Sequence, residues 1–324
     1  MRVSSETSNA ARNHSWRADY LRLRHDLKAS WIHGFPYLKG RLDSAQLPPI
    51  EESRALQQQP FRAEAHTLTS YRDWRMAIWA IYSLIKFANG GIEVVIHDDG
   101  TLPEHARRQF RSYFPGVRII SIAEADSKVG TELKSYKRLM HLRKRLKHFH
   151  KLTDFPLFCT RQRMIVTDSD VLIFREPKQL LEGPAGPASH LFTRDLWSAY
   201  DIPCNPSILP PIADRINCGL GNVHRDSLDF DRMESFLALP GIDLDRCSIW
   251  IEQTLWAMEC AASGFEYLSG DYVITLGPGI GGLVSKHYIG GPSRDFFFIE
   301  GIRAVKQTGL PANYSQVGVV REGV

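Results

Sequence analysis

No stretch of this 324-residue sequence is apolar for long enough to cross a bilayer, and residues 1–28 hold no hydrophobic core of a secretory leader. The simplest expectation is a cytoplasmic protein without a transmembrane segment, one for which peripheral attachment to a membrane surface would leave little trace. Cysteine is scarce: Cys159, Cys204, Cys218, Cys247 and Cys260 are scattered, odd in number and never spaced Cys-x-x-Cys. That excludes a zinc knuckle or a disulfide framework and leaves isolated buried thiols. An excess of one charge is missing as well, since 40 Lys and Arg face 36 Asp and Glu for a formal net charge of +4. So mild a balance argues against a nucleic-acid partner, although it favours anionic substrates. What remains is an ordinary globular composition, 43% hydrophobic and 23% charged, with ample core for one large domain or two modest ones.

Within that composition one segment stands out. Met164-Ile165-Val166-Thr167-Asp168-Ser169-Asp170-Val171-Leu172-Ile173-Phe174 sets two carboxylates one residue apart inside an apolar run. A buried, unpaired carboxylate loses several kcal/mol of hydration, so a pair implies a cation, a shared proton or a strand end that opens onto a cleft. The Val, Ile and Phe content fits a strand covered on both faces, with Asp-Ser-Asp marking its exit from the sheet. Residues two apart share a strand face, so both carboxylates can converge on one ion, and oxygen ligands suit Mg²⁺ or Mn²⁺.

The surrounding pattern is α/β. Residues 1–60 are polar and Arg-rich, end in Pro48-Pro49 and Gln57-Gln58-Gln59-Pro60, and read as an extension with a helix near Trp16 to Lys28. A main domain over 61–324 follows. His66 to Thr69 reads as a strand, then Trp74, Ala77, Ile78, Ile81, Leu84 and Ile85 recur at helical spacing behind the candidate caps Ser70 and Asp73. Ile92 to His97 is the next strand, closed by Asp98-Asp99-Gly100. Thr101-Leu102-Pro103-Glu104 then carries capping-box chemistry for a helix, and Val117 to Ile120 forms a third strand. This alternation predicts a mainly parallel sheet flanked by helices, with ligands gathered at the carboxyl ends of the strands, where Asp98, Asp99, Asp168 and Asp170 fall. A basic helix is expected over about Leu133 to Lys151, its charges forming a solvated outer face or assisting phosphate binding. Loop-rich sequence from Gly183 to Pro211 is a candidate wall for a second substrate.

Laid out in this order, residues 62–300 resemble the nucleotide-sugar-dependent glycosyltransferases of the GT-A fold, and within them the retaining enzymes of family 8. The resemblance rests on Thr67-Leu68-Thr69, His97-Asp98-Asp99-Gly100, Lys151-Leu152-Thr153-Asp154, Asp168-Ser169-Asp170, Asn217-Cys218-Gly219, Glu252-Gln253 and His287-Tyr288-Ile289-Gly290. It implies an enzyme that moves a sugar from a nucleotide donor, UDP in the first instance, to a glycan, a lipid-linked or a small-molecule acceptor. It also implies that Asp168, Asp170 and His287 ligate Mn²⁺ or Mg²⁺, the imidazole favouring Mn²⁺. Lys151 then lies beside the donor phosphates with Ser169 and Gly290 nearby, Asn217 and Gly219 line the sugar pocket, and Glu252 and Gln253 face the donor sugar as the candidate catalytic pair. Thr69, Arg72, Asp98 and Asp99 are the contacts implied for the nucleotide.

Two departures accompany the likeness. The segment after His287-x-x-Gly290 reads Gly291-Pro292-Ser293-Arg294 where the family carries Lys-Pro-Trp, which leaves Arg294 as the replacement phosphate ligand, out of register by one. Glu252 stands where the family has Asp and is longer by a methylene. Two other functions use the same residues: a haloacid dehalogenase-like phosphatase with Asp168 as nucleophile and Asp170 as proton shuttle, and a GT-A-like domain that binds a nucleotide or glycan without turnover.

Overall fold

The computed structural model describes residue 20 and residues 23–187, 189–202 and 208–308. Seven strands form the main sheet in the order β3-β2-β1-β4-β7-β6-β8. They are β1 (Ala63–Thr69), β2 (Ile92–Asp98), β3 (Arg118–Ile120), β4 (Arg163–Thr167), β6 (His190–Arg194), β7 (Ile216–His224) and β8 (Phe265–Tyr267). The pairs β1/β2, β2/β3, β1/β4 and β6/β8 are parallel, and β7 runs antiparallel to both β4 and β6. The sheet is thus mainly parallel, as the strand–helix alternation predicts. Its order grows outward from β1 to β3 and then restarts at β4 on the other side of β1. Such a reversal opens a crevice at the carboxyl ends of the two central strands, beside Thr69 and Thr167.

Side chains alternate across this sheet because the strand period is two. Ile165 joins one core with Ala65, Ile96 and the helix Trp74–Phe87, whereas Met164 and Val166 join another with Phe155, Trp256 and Met258. The helix Trp74–Phe87 is buried around its whole circumference apart from Arg75, because the sheet, β5 (Val171–Ile173) and the N-terminal segment cover it together.

Three sequence expectations need correction. The apolar run 164–174 is two strands rather than one, since the chain turns at Asp168–Asp170 and β5 enters a separate sheet with β10 (Ser285–His287) and β9 (Tyr272–Ile274). The single basic helix over 133–151 is three pieces. Leu133 ends the helix Ile122–Glu132, Lys137–Arg145 is a second helix, and extended backbone at Leu146 precedes a 3₁₀ turn and the helix His150–Phe158. The capping box at Thr101 does not form either. Thr101 Oγ1 instead donates to Asp99 Oδ1 at 2.6 Å, and the helix Glu104–Tyr113 starts without a side-chain cap.

The expected helix near Trp16 lies largely outside the described residues, but residues 23–33 are helical and are followed by helices Phe35–Ala45 and Ile50–Leu56. These segments are built into the main core through Ala29, Tyr37 and Leu56. Gly40 is required there, because any Cβ would collide with the carbonyl oxygen of Phe298. No helix among the described residues is long and apolar enough to cross a membrane.

Candidate functional site

Backbone pairing alone assembles the centre of the crevice. The amide of Asp168 donates to the carbonyl of Gly219 at 2.8 Å, extending the β4/β7 ladder, and so sets Asn217, Cys218 and Gly219 beside the end of β4. In the small sheet His287 is paired with Val171, and the amide of Tyr288 donates to the carbonyl of Asp170 at 3.0 Å. The imidazole is thereby brought to the aspartate pair. His287 Nε2 lies 3.1 Å from Asp170 Oδ1 and 3.9 Å from Asp168 Oδ2. One ligand atom from each of Asp168, Asp170 and His287 falls within 4.8 Å of the others. Two hard carboxylates with an imidazole suit Mn²⁺ or Mg²⁺.

The ring of His287 is oriented from behind. Its Nδ1 lies 3.1 Å from Asn217 Oδ1, whose carboxamide also accepts from the Gly219 amide at 3.0 Å and donates through Nδ2 to Asp195 Oδ2 at 2.9 Å. Because Asp195 can only accept, the amide oxygen must face His287, so Nδ1 carries the proton and Nε2 turns toward the carboxylates. Gly219 is needed for this approach, since an added Cβ would strike the imidazole.

Cations balance the carboxylates. Lys151, 2% exposed, places Nζ 3.1 Å from Asp168 Oδ1 and 3.7 Å from Glu252 Oε2. Arg294 Nε lies 3.5 Å from Asp170 Oδ2, and its Nη2 donates to Asp73 Oδ1 at 2.7 Å. Burial on its own would raise the Asp170 carboxyl, but His287 and Arg294 outweigh it and hold the group down at about 2. Burial would likewise lower His287 and Lys151. Asp170 raises the histidine overall, and Asp168 with its neighbours raises the lysine well above the usual ammonium range.

A cavity of about 370 Å³ opens onto this cluster, lined by Thr69, Ser70, Arg72, Asp73, Asp99, Lys147, His148, Lys151, Asp168, Ser169, Asp170 and Arg294. A second cavity, about 400 Å³, shares Arg72, Asp73, Asp170 and Arg294 with it and adds Gly290, Gly291, His25, Asp26, Tyr37 and Arg41. A larger one of about 530 Å³ near Arg175, Gln179 and Asp271 shares no residue with either and gathers no buried charged cluster.

The residues singled out from the sequence therefore separate into groups. Thr69, Arg72, Asp99, Lys151, Asp168, Ser169, Asp170, Gly290 and Arg294 each line one or both of the first two cavities. Asn217, Gly219 and His287 stand behind the aspartates. Asp98 does not reach the cleft, because its carboxylate accepts from the amides of Gly100 and Leu102 and pairs with Arg107. Glu252 and Gln253, on the helix Trp250–Ser263, are buried rather than presented to the cavity. Glu252 accepts from Trp256 Nε1 at 2.5 Å and Cys218 Sγ at 3.1 Å, and burial raises its carboxyl. Gln253 Nε2 donates to Asp195 Oδ2 and the Ala199 carbonyl, both at 3.2 Å.

Sequence reasoning missed Asp195, which joins Asn217 to Gln253, and Asp73, which holds Arg294. Neither sits in a motif; Asp195 directly follows β6, and Asp73 stands at the N-cap position of the helix Trp74–Phe87 without a side-chain cap bond, positions that many aspartates occupy.

No protein-family model matches this sequence, and no curated protein matches it. Among solved structures, the apo form of the bifunctional glycosyltransferase WbbM is similar at a TM-score of 0.50 and 12% identity, over 76% of this chain and 50% of that one. An active-site mutant of LgtC is similar at 0.49 and 12%, over 78% and 98%. The apo glycosyltransferase GlyE of Streptococcus pneumoniae TIGR4 is similar at 0.45 and 14%, over 70% and 54%. This chain thus spans about half the length of WbbM and GlyE. The likeness to WbbM, with the sheet described above, shows the GT-A fold. A dehalogenase-like arrangement finds no support, since its nucleophile follows the first strand of the domain and here the aspartate pair follows β4.

Proposed function

We propose that this protein is a metal-dependent glycosyltransferase that takes a nucleotide sugar, UDP-linked in the first instance, and transfers the sugar with retention. One observation carries the reading: Asp168, Asp170 and His287 converge at the switch point of a GT-A sheet, beside a cavity lined by Arg72, Lys147 and Lys151. A divalent cation held by those three ligands would act as a Lewis acid that stabilises negative charge on the departing diphosphate. Lys151 and Arg294 add positive charge on either side of the aspartates, Lys151 as a compact ammonium and Arg294 as a planar donor fork suited to phosphate oxygens.

The polar array behind the ligands supports them rather than meeting the substrate. Asp195, Asn217 and Gln253 hold one another in fixed orientations, which keeps the His287 imidazole aimed at the aspartates with little reorganisation. Glu252 is engaged by Trp256, Cys218 and Lys151, which suits a positioning role, through Lys151 and Asp168, better than direct attack on the sugar.

The test is a panel of UDP- and GDP-sugars screened for thermal stabilisation with and without Mn²⁺, followed by anomeric assignment of the product by NMR. UDP-glucose and UDP-galactose come first. The expected result is stabilisation that requires both nucleotide and metal and is lost in Asp170→Asn. Unchanged UDP affinity in that variant would sink the metal assignment.

A further inference from the structure

Eight of the fourteen large hydrophobic residues that are exposed among the described residues lie between positions 20 and 42. They are not scattered over that segment. Leu23, Leu27 and Trp31 follow one another at four-residue steps along the helical residues 23–33, and Phe35, Leu38 and Leu42 occupy one stripe of the helix Phe35–Ala45. Trp31 is 90% exposed, Phe35 74% and Leu42 70%. The opposite faces of the same helices are packed through Ala29, Tyr37, Gly40 and Ser44. A pair of helices with its inner face docked and its outer face apolar leaves that outer face unsatisfied in water.

Charge decides what covers it. Both acidic residues of 23–45 are engaged away from the apolar stripe: Asp26 accepts from Tyr37 at 2.6 Å and Arg41 at 3.1 Å, and Asp43 pairs with Lys306. Arg24, Lys28 and Lys39 are exposed, and none of them has an acidic partner among the described residues. The outer face is therefore apolar and cationic only. A second copy of the same face, brought against it about a two-fold axis, would set like charges together. An anionic lipid surface meets both requirements, accepting the apolar side chains below the headgroups and the cations among them.

We infer that the outer face of residues 23–45 docks this protein on an anionic lipid bilayer, with Trp31, Phe35 and Leu42 inserted and Arg24, Lys28 and Lys39 at the headgroup level. Docking in this way does not depend on the transferase activity. It does have a consequence for the site, because His25, Asp26, Tyr37 and Arg41 of the same helices wall the cavity that reaches Asp170 and Arg294. One helix thickness, about 10 Å, then separates the lipid surface from that cavity.

Co-sedimentation of the full chain with vesicles tests this directly, using phosphatidylcholine alone against a 70:30 mixture of phosphatidylcholine and phosphatidylglycerol. Binding is expected to the anionic vesicles, to weaken with added NaCl, and to fall at least about tenfold in Arg24→Glu/Lys28→Glu/Lys39→Glu. Trp31→Ser/Phe35→Ser/Leu42→Ser should lose binding to a similar degree while keeping the thermal midpoint, since these side chains contact solvent. Equal binding to both vesicle types, or none to either, overturns the inference. A dimer that the serine variant dissociates assigns the face to a second copy and overturns it too. A fall of several degrees in that variant's midpoint would show the face already covered by the chain itself, with the same consequence.

Discussion

Asn217 Oδ1 lies 3.1 Å from His287 Nδ1, and this single contact sets which nitrogen of the imidazole faces Asp170. Asp195 fixes the carboxamide in turn, so the orientation passes from one buried carboxylate through an amide to the imidazole nitrogen proposed as a metal ligand. Groups that orient a ligating histidine typically change metal affinity by about 10–100-fold when removed. Asn217→Ala is expected to weaken Mn²⁺ affinity, read by calorimetry in the presence of UDP, by that factor with little change in folding cooperativity. Mn²⁺ affinity equal to that of the unaltered protein would remove Asn217 from the arrangement.

Gly219→Ala tests the same geometry sterically. The new Cβ would lie 2.7 Å from His287 Nδ1 and closer still to Cε1, and the neighbouring Asn217 Oδ1 stands at 3.0 Å. The imidazole has to move, because β7 is held by ladders on both sides. A destabilisation of about 1–3 kcal/mol is expected, together with loss of Mn²⁺-dependent UDP binding. Urea denaturation and nucleotide titration read the two effects separately.

Removal of Lys151 should unfold the protein more readily, because it leaves Glu252, 3% exposed, and the partly covered Asp168 without their ammonium. Breaking a buried pair from one side costs about 3–5 kcal/mol. Lys151→Met is expected to fall in that range, and the added Glu252→Gln to restore part of the loss. Additive losses in the double-mutant cycle would show that the two side chains do not interact.

The acid limb of stability follows from four buried histidines. Burial lowers His66 and His150, pushes His97 well below the ordinary range and takes His190 to about 3. These rings are neutral in the folded chain and take a proton on unfolding once the pH drops below about 6.5, so the unfolded state binds more protons and stability falls as pH falls. Each contributes up to about 2 kcal/mol of loss between pH 7.5 and 5. His287, raised overall by Asp170, acts in the opposite sense and in a higher window: its stabilisation is complete below about 6.5 and is lost as pH rises through its folded value. His190→Phe is expected to flatten the dependence by one histidine; urea midpoints at pH 7.5, 6 and 5 check it, and an unchanged slope refutes the assignment.

Much of the first half of the fold is legible in local pattern. β1, β2 and β3 and the helices between them obey periods of 2 and 3.6, and turn residues such as Asp99-Gly100 punctuate them where the structure does. The basic segment 133–151 misleads for a reason visible at Arg143. Its guanidinium is 3% exposed and donates to Asp154 at 2.8 and 2.9 Å, so a residue that reads as solvated is a buried clamp between two helices. Lys151 misleads in the same way. A charge whose partner lies in another element carries no sequence signal of its burial.

The sequence by itself determines the aspartate pair at the end of an apolar strand, the α/β alternation before it and the absence of a membrane-length apolar run, because each is a property of neighbouring residues. Only the tertiary structure decides that Asp168 and Asp170 close one strand and open another in a different sheet, and that His287 arrives by pairing with Val171. It alone shows Asp195 behind Asn217, and the outer face of residues 23–45 left exposed among the described residues. Those facts depend on pairings and packing between segments tens to more than a hundred residues apart, which no local period encodes.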